Sequence, residues 1–471
     1  MGIGLTIVDS LDTMYIMGLH DEFADAREWV ATKLSFERDH EVQLFEIVIR
    51  ELGGLLSAYH LSGDKVFLDK ARDLGNKLYP CLSGPTNIPC NRINLKRSRP
   101  HFLEISTAEV GTIQLEFRDL SRSVSDEKFE VLLGKKLAPC LNGLTPIPCN
   151  RINMHRALAS FIDTSTAEVG SIHLEFRDLA RTSRNITYEK AVDAISQHIH
   201  GMNKLDGLVA CYINPHTGEF RSSSTVSVGA SADSYYEYLV KQWIQTGKKN
   251  DALKNDYLEA VAGIEKHLYR HTQYSHLGFV GAYYNMNTRS FRRDMEHLAC
   301  FLPGTLALGY QAGLRYENHL KMAENLTYTC YQMYARMPTG LSPEVVTMNI
   351  NSNDKDDFFV MTSSAFNLQR PETIESIFYM YRVTKDPKYR QWGWKIFQAF
   401  EQYTRLQDGG YASISNVKNA KDPGYRDKME TFYLAETLKY LYLLFSDDPH
   451  LIPLDKYVIN TEAHPLPIYD S

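Results

Sequence analysis

Two neighbouring residues near the carboxyl end of the chain, Thr461 and Glu462, place a hydroxyl beside a carboxylate. Oxygen ligands of this kind suit a hard cation such as calcium. The pair alone proves little, because polar residues in such a segment are most often solvated. It becomes a candidate metal site only if acids from elsewhere in the chain converge on it.

Glu46 is the first such acid, in an apolar stretch and one helical turn before Arg50. Burial would favour the protonated carboxyl and the nearby guanidinium would favour the ionised one, as a tuned catalytic acid requires. The same spacing also describes an ordinary salt bridge on a solvated helix face. From spacing alone, the ordinary salt bridge is the favoured interpretation.

Glu372 and Asp233 stand where helices are expected to begin. Glu372 follows Pro371, which suits a first helical position, so the helix dipole favours the ionised carboxylate that a general base needs. Acids are also common there for helix stability alone. Asp233, after Gly229-Ala-Ser231, is equally consistent with a helix-capping acid. The sequence leaves both alternatives open.

An aromatic residue and a histidine complete the set of candidates. Phe432 and Glu436 lie one turn apart, so they share a helix face, and an aromatic ring beside a carboxylate is a common platform for a sugar. Such a stripe belongs more often to the core. His297, within Met295-Glu-His-Leu298, is by itself typical of a core histidine with satisfied hydrogen bonds.

The elements that must position these residues are predicted to be helices, because apolar residues recur at helical intervals and strand-like alternation is rare. Loops rich in Gly, Pro, Asn and Asp separate them, which indicates successive αα hairpins. Such hairpins close into an α/α toroid or stack as a solenoid. The periodic segments are 43–56, 108–120, 231–243, 374–381 and 432–445.

Composition narrows the class of protein. The 471 residues are 44% apolar, enough for one large core, and we expect a single domain over residues 1–471. The net charge of −6 without a basic block argues against nucleic acid as a partner. Apolar runs such as 438–445 fall short of the roughly 20 residues that span a bilayer, so no membrane anchor is expected in this chain. Its first residues lack the order of a signal peptide, and we expect a truncated amino terminus.

The seven cysteines have neither zinc-ribbon nor CxxC spacing. Two glycosylation sequons begin at Asn185 and Asn325, and Cys300 and Cys330 flank a helical stretch. Each observation is weak alone, but together they favour an oxidising lumen.

Part of the chain occurs twice, with an offset of 59 residues. Residues 80–94 recur as 139–153, and residues 106–122 match 165–181 with three differences in seventeen. Neither the earlier nor the later chain follows this period, which excludes a repeat architecture. We predict a local tandem duplication of about 61–122 and 123–181.

These features resemble the class I α-mannosidases, glycoside hydrolase family 47, along nearly the whole chain. The resemblance implies an all-α fold, an (α/α)7 barrel, here lacking its first helix and carrying the duplicated helix-loop segment. The matching segments are 5–13, 52–60, 232–238, 297–304, 370–373 and 461–465.

The resemblance implies an inverting, calcium-dependent enzyme that removes terminal α-1,2-linked mannose from high-mannose N-glycans of glycoproteins. Inversion needs an acid and a base roughly 6.5–9.5 Å apart. We expect this chain to be a monomer in the lumen of the endoplasmic reticulum or the Golgi. Relatives in the family carry a membrane anchor. Two alternatives remain: a catalytically impaired glycan-binding quality-control protein on the same fold, and a calcium-dependent structural module.

The resemblance also implies a role for each candidate. Glu46 is the proton donor, acting through a water, and Glu372 is the base. Asp233 is catalytic and is also a candidate for the acid. Glu436 lies at the base of the mannose subsite. Thr461 ligates calcium, with Glu436 and Glu462 holding its waters, and Cys300 pairs with Cys330. The implied substrate contacts are Arg50, Glu109, Glu168, His297, Arg370, Phe432 and Glu462.

Two of these assignments are affected by departures from the family pattern. Glu109 and Glu168 are copies of one residue, and only one of them can occupy its place in the active-site wall. Ser231 stands at a position linked to the glycan branch that relatives accept. The sequence therefore predicts neither the branch nor the copy in use.

Overall fold

The computed structural model describes residues 3–82, 90–101, 104–106, 114–126, 128, 145–153, 158–160, 163–171, 173–183, 186–351, 355–407, 409–448, 450–463 and 465–468. The chain forms two compact units. The first comprises Met1–Thr164, Ser171–Gly201 and Ile213–Glu219. The second comprises Ser165–Gly170, Met202–Tyr212 and Phe220–Ser471.

Helices build most of the first unit. The helix Lys65–Leu82 shows why: Phe67, Ala71, Leu74 and Leu78 recur at helical intervals and are fully buried. The helices of this unit are Leu5–Asp9, Leu11–Ile16, His20–Thr32, Leu44–Glu46, Gly53–Ser62, Lys65–Leu82, Gln114–Val124, His173–Ser183 and Ile186–Gly201, and the π-helical turn Ile47–Leu52 joins two of them.

Short strands accompany these helices. Glu41–Gln43 pairs antiparallel with Arg92–Asn94, which pairs with Arg99–His101. Glu104–Ser106 pairs in the same way with Arg151–Asn153, and that strand pairs with Leu158–Ser160. Each copy of the duplicated segment therefore contributes a hairpin, which the prediction of rare strands missed. Three-residue strands are too short to show an alternating pattern.

The two copies of the duplicated helix pack against different neighbours. Gln114–Val124, from the first copy, packs on Lys65–Leu82 and Gly53–Ser62, which precede it. His173–Ser183, from the second copy, packs on Ile186–Gly201, which follows it. The equivalent residues Phe117 and Phe176 are both buried. The same apolar pattern therefore packs against preceding helices in the first copy and against the following helix in the second.

The second unit is also mainly helical, and its strands are short. Its helices are Asp233–Gln245, Asp251–Gly263, Leu302–Gln311, Glu317–Ala335, Glu372–Thr384, Lys388–Tyr403 and Leu438–Phe445, with Thr166–Ser171 beginning in it, π-helical turns at Ile264–Leu268 and Tyr433–Thr437, and 3-10 turns at His297–Phe301 and Thr362–Ser364. Its antiparallel pairs are Tyr269–His271 with Gly278–Val280, Ala282–Tyr283 with Phe291–Arg292, Asp294–Glu296 with Val345–Met348, Val345–Met348 with Phe358–Phe359, and Tyr457–Ile459 with Pro465–Pro467. The strands Thr164–Ser165, Tyr212–Asn214 and Glu219–Phe220 occur where the chain passes from one unit to the other.

The helix Glu372–Thr384, called the Glu372 helix below, forms the centre of the second unit. Its buried side packs closely against Leu302–Gln311. The Gly304 N–H donates to Ser376 Oγ at 2.8 Å. A Cβ atom at Gly304 would lie only 3.0 Å from the Tyr379 ring, so a larger residue would have to displace that ring by a few tenths of an ångström. The contact fixes the second turn of the Glu372 helix against its neighbour.

Disulfides occur in both units. Cys300 and Cys330 are bonded, as the family resemblance implies. No role was predicted for the other cysteines. Cys81 is bonded to Cys90, and Cys149 is also disulfide-bonded. Among the described residues, Cys211 is the free thiol, and it is buried. None of the helices described by the structure is both long enough and apolar enough to cross a membrane.

Replacing Cys300 and Cys330 together with serine is expected to lower the free energy of unfolding by roughly 3–4 kcal/mol, because the bond closes a 30-residue loop. Cys300 lies in the 3-10 turn that carries His297, so activity should fall as well. Urea unfolding of the variant beside the oxidised wild-type chain measures the change. Equal midpoints would contradict a stabilising role for this bond.

Candidate active site

Asp233 begins the helix Asp233–Gln245, called the Asp233 helix below. Ala232 holds the cap position, so the alternative of a capping acid is wrong. The preceding turn is fixed by the Asp233 N–H, which donates to the Gly229 carbonyl at 3.0 Å, and by the Ala230 N–H, which donates to Glu296 Oε2 at 2.9 Å. Glu296 was not among the residues predicted from the sequence. Its role in fixing the turn before Asp233 depends on a contact between distant segments, which only the fold reveals.

Burial sets the protonation of Asp233. Loss of solvent, with a smaller contribution from the charges of Glu237, Glu372 and Glu296, raises the pKa of this carboxyl to about 7. The Ser234 N–H, which donates to Asp233 Oδ1 at 2.9 Å, opposes the shift. Asp233 can therefore hold a proton near neutral pH, as a general acid must.

Glu372 is the first residue of its helix and is oriented by His297. Nδ1 of His297 lies 2.9 Å from Glu372 Oε2. Nε2 lies 2.9 Å from the Tyr334 hydroxyl and 3.0 Å from the Thr373 hydroxyl. With the proton on Nδ1, Nε2 can accept from one of these hydroxyls, and both ring nitrogens are satisfied. The network fixes the orientation of the Glu372 carboxyl group.

His297 itself is only 2% exposed. Its hydrogen bonds match the interpretation of a satisfied core histidine and give it a second task, the orientation of Glu372. The contact with substrate that the family resemblance implies stays a prediction. Tyr334 completes the network and carries no sequence signal that separates it from other core residues. Thr373 lies in the matching segment 370–373, but no role for it was predicted.

Arg370 lies two residues before Glu372 and contacts one further candidate, Phe432. Its Nε donates to Glu344 Oε2 at 2.7 Å, and its guanidinium lies 5.9 Å from the centre of the Phe432 ring. An arginine over an aromatic face leaves donors and an apolar edge available to one ligand. This arrangement suits a sugar with several hydroxyl groups.

Glu436 lies in the π-helical turn Tyr433–Thr437 and is buried. Burial raises its pKa well above the usual range, and the charges of Glu462, Glu372 and Glu375 add to the effect. Carboxyls from three parts of the second unit therefore crowd together. A cation among them would relieve this repulsion.

Thr461 and Glu462 lie in the loop of the hairpin formed by Tyr457–Ile459 and Pro465–Pro467, and both are exposed. The Thr461 N–H donates to the Tyr238 hydroxyl at 3.2 Å, and Lys439 Nζ donates to the Ala463 carbonyl at 3.2 Å. The hairpin is therefore fixed to the Asp233 helix and to the helix that follows Glu436. The segment expected from the sequence to be a solvated polar tail is therefore a loop fixed by hydrogen bonds to two helices.

Glu46 and Arg50 form a pair in the first unit. Arg50 Nε donates to Glu46 Oε2 at 2.6 Å, and Nη1 lies 3.8 Å from Asp9 Oδ2. The Glu46 side chain is 43% exposed, as the ordinary i,i+4 pair predicts. Next to them, Glu51 is fully buried, and burial together with Asp9 raises its pKa to about 8. Glu51 was not among the residues predicted from the sequence.

Of the two duplicated acids, Glu109 lies outside the described residues. Glu168 belongs to the second unit, where Ser165 caps its helix: Ser165 N–H and Oγ lie 3.1 and 3.0 Å from Glu168 Oε2, and the Glu168 N–H donates to Ser165 Oγ. The Ala167 N–H donates to the Ser231 carbonyl at 3.0 Å. The second copy is thus joined to the turn that precedes Asp233.

No group of three or more His, Cys, Asp or Glu side chains within the described ranges is arranged to hold a metal ion by itself. This result is compatible with a calcium ion that takes most of its ligands from waters and substrate, because few protein ligands are then required.

Comparison with known proteins gives consistent matches. Residues 1–135 and 131–468 match the model of glycosyl hydrolase family 47. Human endoplasmic reticulum mannosyl-oligosaccharide 1,2-alpha-mannosidase is 47% identical over 474 residues, 99% of this chain and 59% of the relative. Mannosyl-oligosaccharide 1,2-alpha-mannosidase from Candida albicans is 38% identical over 490 residues, 100% of this chain and 77% of the relative.

A solved structure supports the fold. Alpha-1,2-mannosidase from Trichoderma reesei aligns with a TM-score of 0.72 and 25% identity, over 99% of this chain and 91% of that one. The match confirms the predicted fold class, all-α and of the (α/α)7 barrel type. The chain spans between 59% and 63% of the length of the three mammalian relatives that it matches.

Proposed function

Because the chain belongs to glycosyl hydrolase family 47, we propose that it is an inverting glycosidase that releases terminal α-1,2-linked mannose from high-mannose N-glycans. The observation that carries this proposal is the contrast between two acids in the second unit. Burial raises the pKa of Asp233 to about 7, whereas Glu372 is oriented by His297 Nδ1 at 2.9 Å. A buried acid that can hold a proton and a second carboxyl group held in one orientation supply the acid and the base that inverting hydrolysis requires.

Glu372 acts as the general base. It takes a proton from the water that attacks the sugar, while an acid protonates the leaving oxygen. His297 and Thr373 keep the carboxylate in one orientation, which reduces the reorganisation needed in the transition state. Arg370 and Phe432 bind the sugar ring from one side.

The acid is Asp233 or Glu46. Burial makes Asp233 a proton carrier near neutral pH, whereas Glu46 is half exposed and bonded to Arg50. The environment of Asp233 favours direct proton transfer, whereas for Glu46 the family resemblance implies transfer through a bridging water. Glu168, beside the turn that precedes Asp233, is the proposed wall residue of the duplicated pair.

Calcium is the proposed metal. The donor set at the hairpin is oxygen only, with Thr461 exposed and Glu462 next to it, and the buried Glu436 is crowded by like charges. These residues fit a hard cation. Thr461 would ligate it, and Glu436 and Glu462 would hold its waters. When bound, calcium would orient the sugar hydroxyls and polarise bound water.

The proposed site of action is the lumen of the endoplasmic reticulum or the Golgi, where the bond between Cys300 and Cys330 would persist. The test of the function is incubation of the purified chain with a high-mannose oligosaccharide. Release of mannose supports the enzyme, whereas glycan binding without release would favour the catalytically impaired quality-control protein.

We also propose that one copy of the duplicated segment suffices. The first copy uses Asp119, which lies 2.8 Å from Nε2 of His60. The second uses Arg177, whose Nη1 lies 2.6 Å from Asp193 Oδ1. The sequence Arg-Asp occurs in both copies, at 118–119 and 177–178. Since consecutive residues point to different sides of a helix, a single helix can make both contacts.

Deletion of residues 80–138 removes one period of 59 residues and joins Tyr79 to Pro139 in the original register. We expect higher folded yield and higher kcat than for the full chain, because redundant backbone and one hairpin are removed. Yield after purification and mannose release per mole of protein measure the effect. Equal or lower values would count against redundancy of the first copy.

A further inference from the structure

Lys241 is a buried cation near the proposed catalytic acids. It lies on the Asp233 helix and is 0% exposed. Its ammonium is ion-paired with Glu237 and lies 3.5 Å from Glu375 Oε1 on the Glu372 helix. Glu237 and Glu375 are 4% and 8% exposed. The three side chains therefore form a charged group largely removed from water.

The position of this group links it to both acids. Glu237 lies one turn after Asp233 on the same helix face, and Glu375 lies one turn after Glu372. Electrostatic interactions connect this group to the first turns of both helices. The charge of Glu237 raises the pKa of Asp233, and the charge of Glu372 raises the pKa of Glu375. Lys241 thus bridges the two helices directly behind the residues proposed to move protons.

Stability alone explains the group poorly. Taking an ammonium and two carboxyls out of water is costly, and buried ion pairs are often no more stabilising than apolar residues of the same volume. The apolar residues Leu239, Val240 and Ile244 are buried near Lys241 on this helix, and apart from Glu237 its other buried residues there, such as Gln242 and Gln245, carry no charge. A leucine or methionine would fill the same space. The retained charge therefore calls for a role in the chemistry.

We propose that Lys241 is a positioning residue for hydrolysis: by pairing with Glu237 and Glu375 it neutralises the carboxyls one turn behind Asp233 and Glu372 and ties together the two helices that carry these acids. This inference rests on the proposed function. The charged and titratable groups around the lysine and these acids are Asp233, Glu237, Glu296, His297, Tyr334, Arg370, Glu372, Glu375, Tyr379, Glu436, Lys439, Tyr440, Glu462 and Cys211.

The test is Lys241→Met, which keeps the length of the side chain and removes its charge. We expect kcat to fall at least tenfold and KM to change less than threefold. Loss of the positive charge leaves the carboxyl of Glu237 unneutralised beside Asp233 and so disfavours ionisation of Asp233. The limb of the kcat profile that Asp233 sets should therefore move to higher pH, by about one pH unit for a charge two helical turns away.

Three comparisons separate this role from a structural one. Lys241→Arg keeps the charge and should retain the wild-type pH profile. Glu237→Gln combined with Lys241→Met removes both charges and should return the profile toward wild type. Lys254→Met is the matched control, since Lys254 pairs with Asp251 on a more exposed helix, and it should leave kcat and the profile unchanged.

A lower kcat in Lys241→Met with an unmoved pH profile would overturn the proposal, and so would an unchanged kcat. Carbon-13 NMR of the Asp233 carboxyl gives a readout that does not need turnover. Its pKa should rise in Lys241→Met, and an unchanged value would contradict the role even if the variant is inactive. If the wild-type chain releases no mannose, the proposed function fails and the positioning role fails with it.

Discussion

Glu372→Gln is expected to lower the kcat for mannose release by about 10²–10⁴-fold, the range that general base catalysis contributes. The amide cannot accept the proton of the attacking water. The His297 ring can still donate to the amide oxygen, so the fold and the binding of substrate should survive. KM should therefore change little.

The matched control is Glu317→Gln. Glu317 is also the first residue of a helix, but it is exposed and bonds to the Tyr310 hydroxyl. This variant should keep the wild-type kcat. Steady-state kinetics on one oligosaccharide measures both variants. Retention of more than a tenth of the wild-type kcat by Glu372→Gln would contradict its role as the base.

Removal of calcium is expected to abolish mannose release, and added calcium should restore it. The buried Glu436 is repelled by the charges of Glu462, Glu372 and Glu375, so a bound cation that reduces this repulsion should also stabilise the fold. At a calcium concentration 100 times Kd the free energy of unfolding should rise by about 2.7 kcal/mol.

Chelation with EGTA, followed by activity and thermal unfolding with and without added calcium, measures these effects. Thr461→Val removes the hydroxyl and keeps the shape, so it should require more calcium for half-maximal stabilisation. Thr288→Val, on an exposed loop that the proposed site does not use, is the control. Full activity of the chelated chain would contradict the calcium site.

Sequence periodicity predicts the long helices well. The segments 231–243 and 374–381 correspond to the Asp233 helix and the Glu372 helix within three residues at each end, because their apolar positions repeat every 3.6 residues. The hairpin around Thr461 was not predicted. Its strands have three residues each, and one of them contains Pro465 and Pro467, which prevent a recognisable strand pattern.

Contacts between distant segments could not be predicted from the sequence. The pair of Glu237 and Lys241 has the i,i+4 spacing of a surface salt bridge, yet both residues are buried because Glu375 approaches from another helix. His297 looked like a core residue, and it is one, but its partner Glu372 is 75 residues away.

The most direct test of the central claim is proton NMR of the anomeric signals during hydrolysis of an α-1,2-linked mannose oligosaccharide. An inverting enzyme must release β-mannose first, and the α-anomer should appear only later by mutarotation. Early β-mannose that disappears in Glu372→Gln is the predicted result. Release of α-mannose first, or no release by the wild-type chain with calcium, would contradict the account.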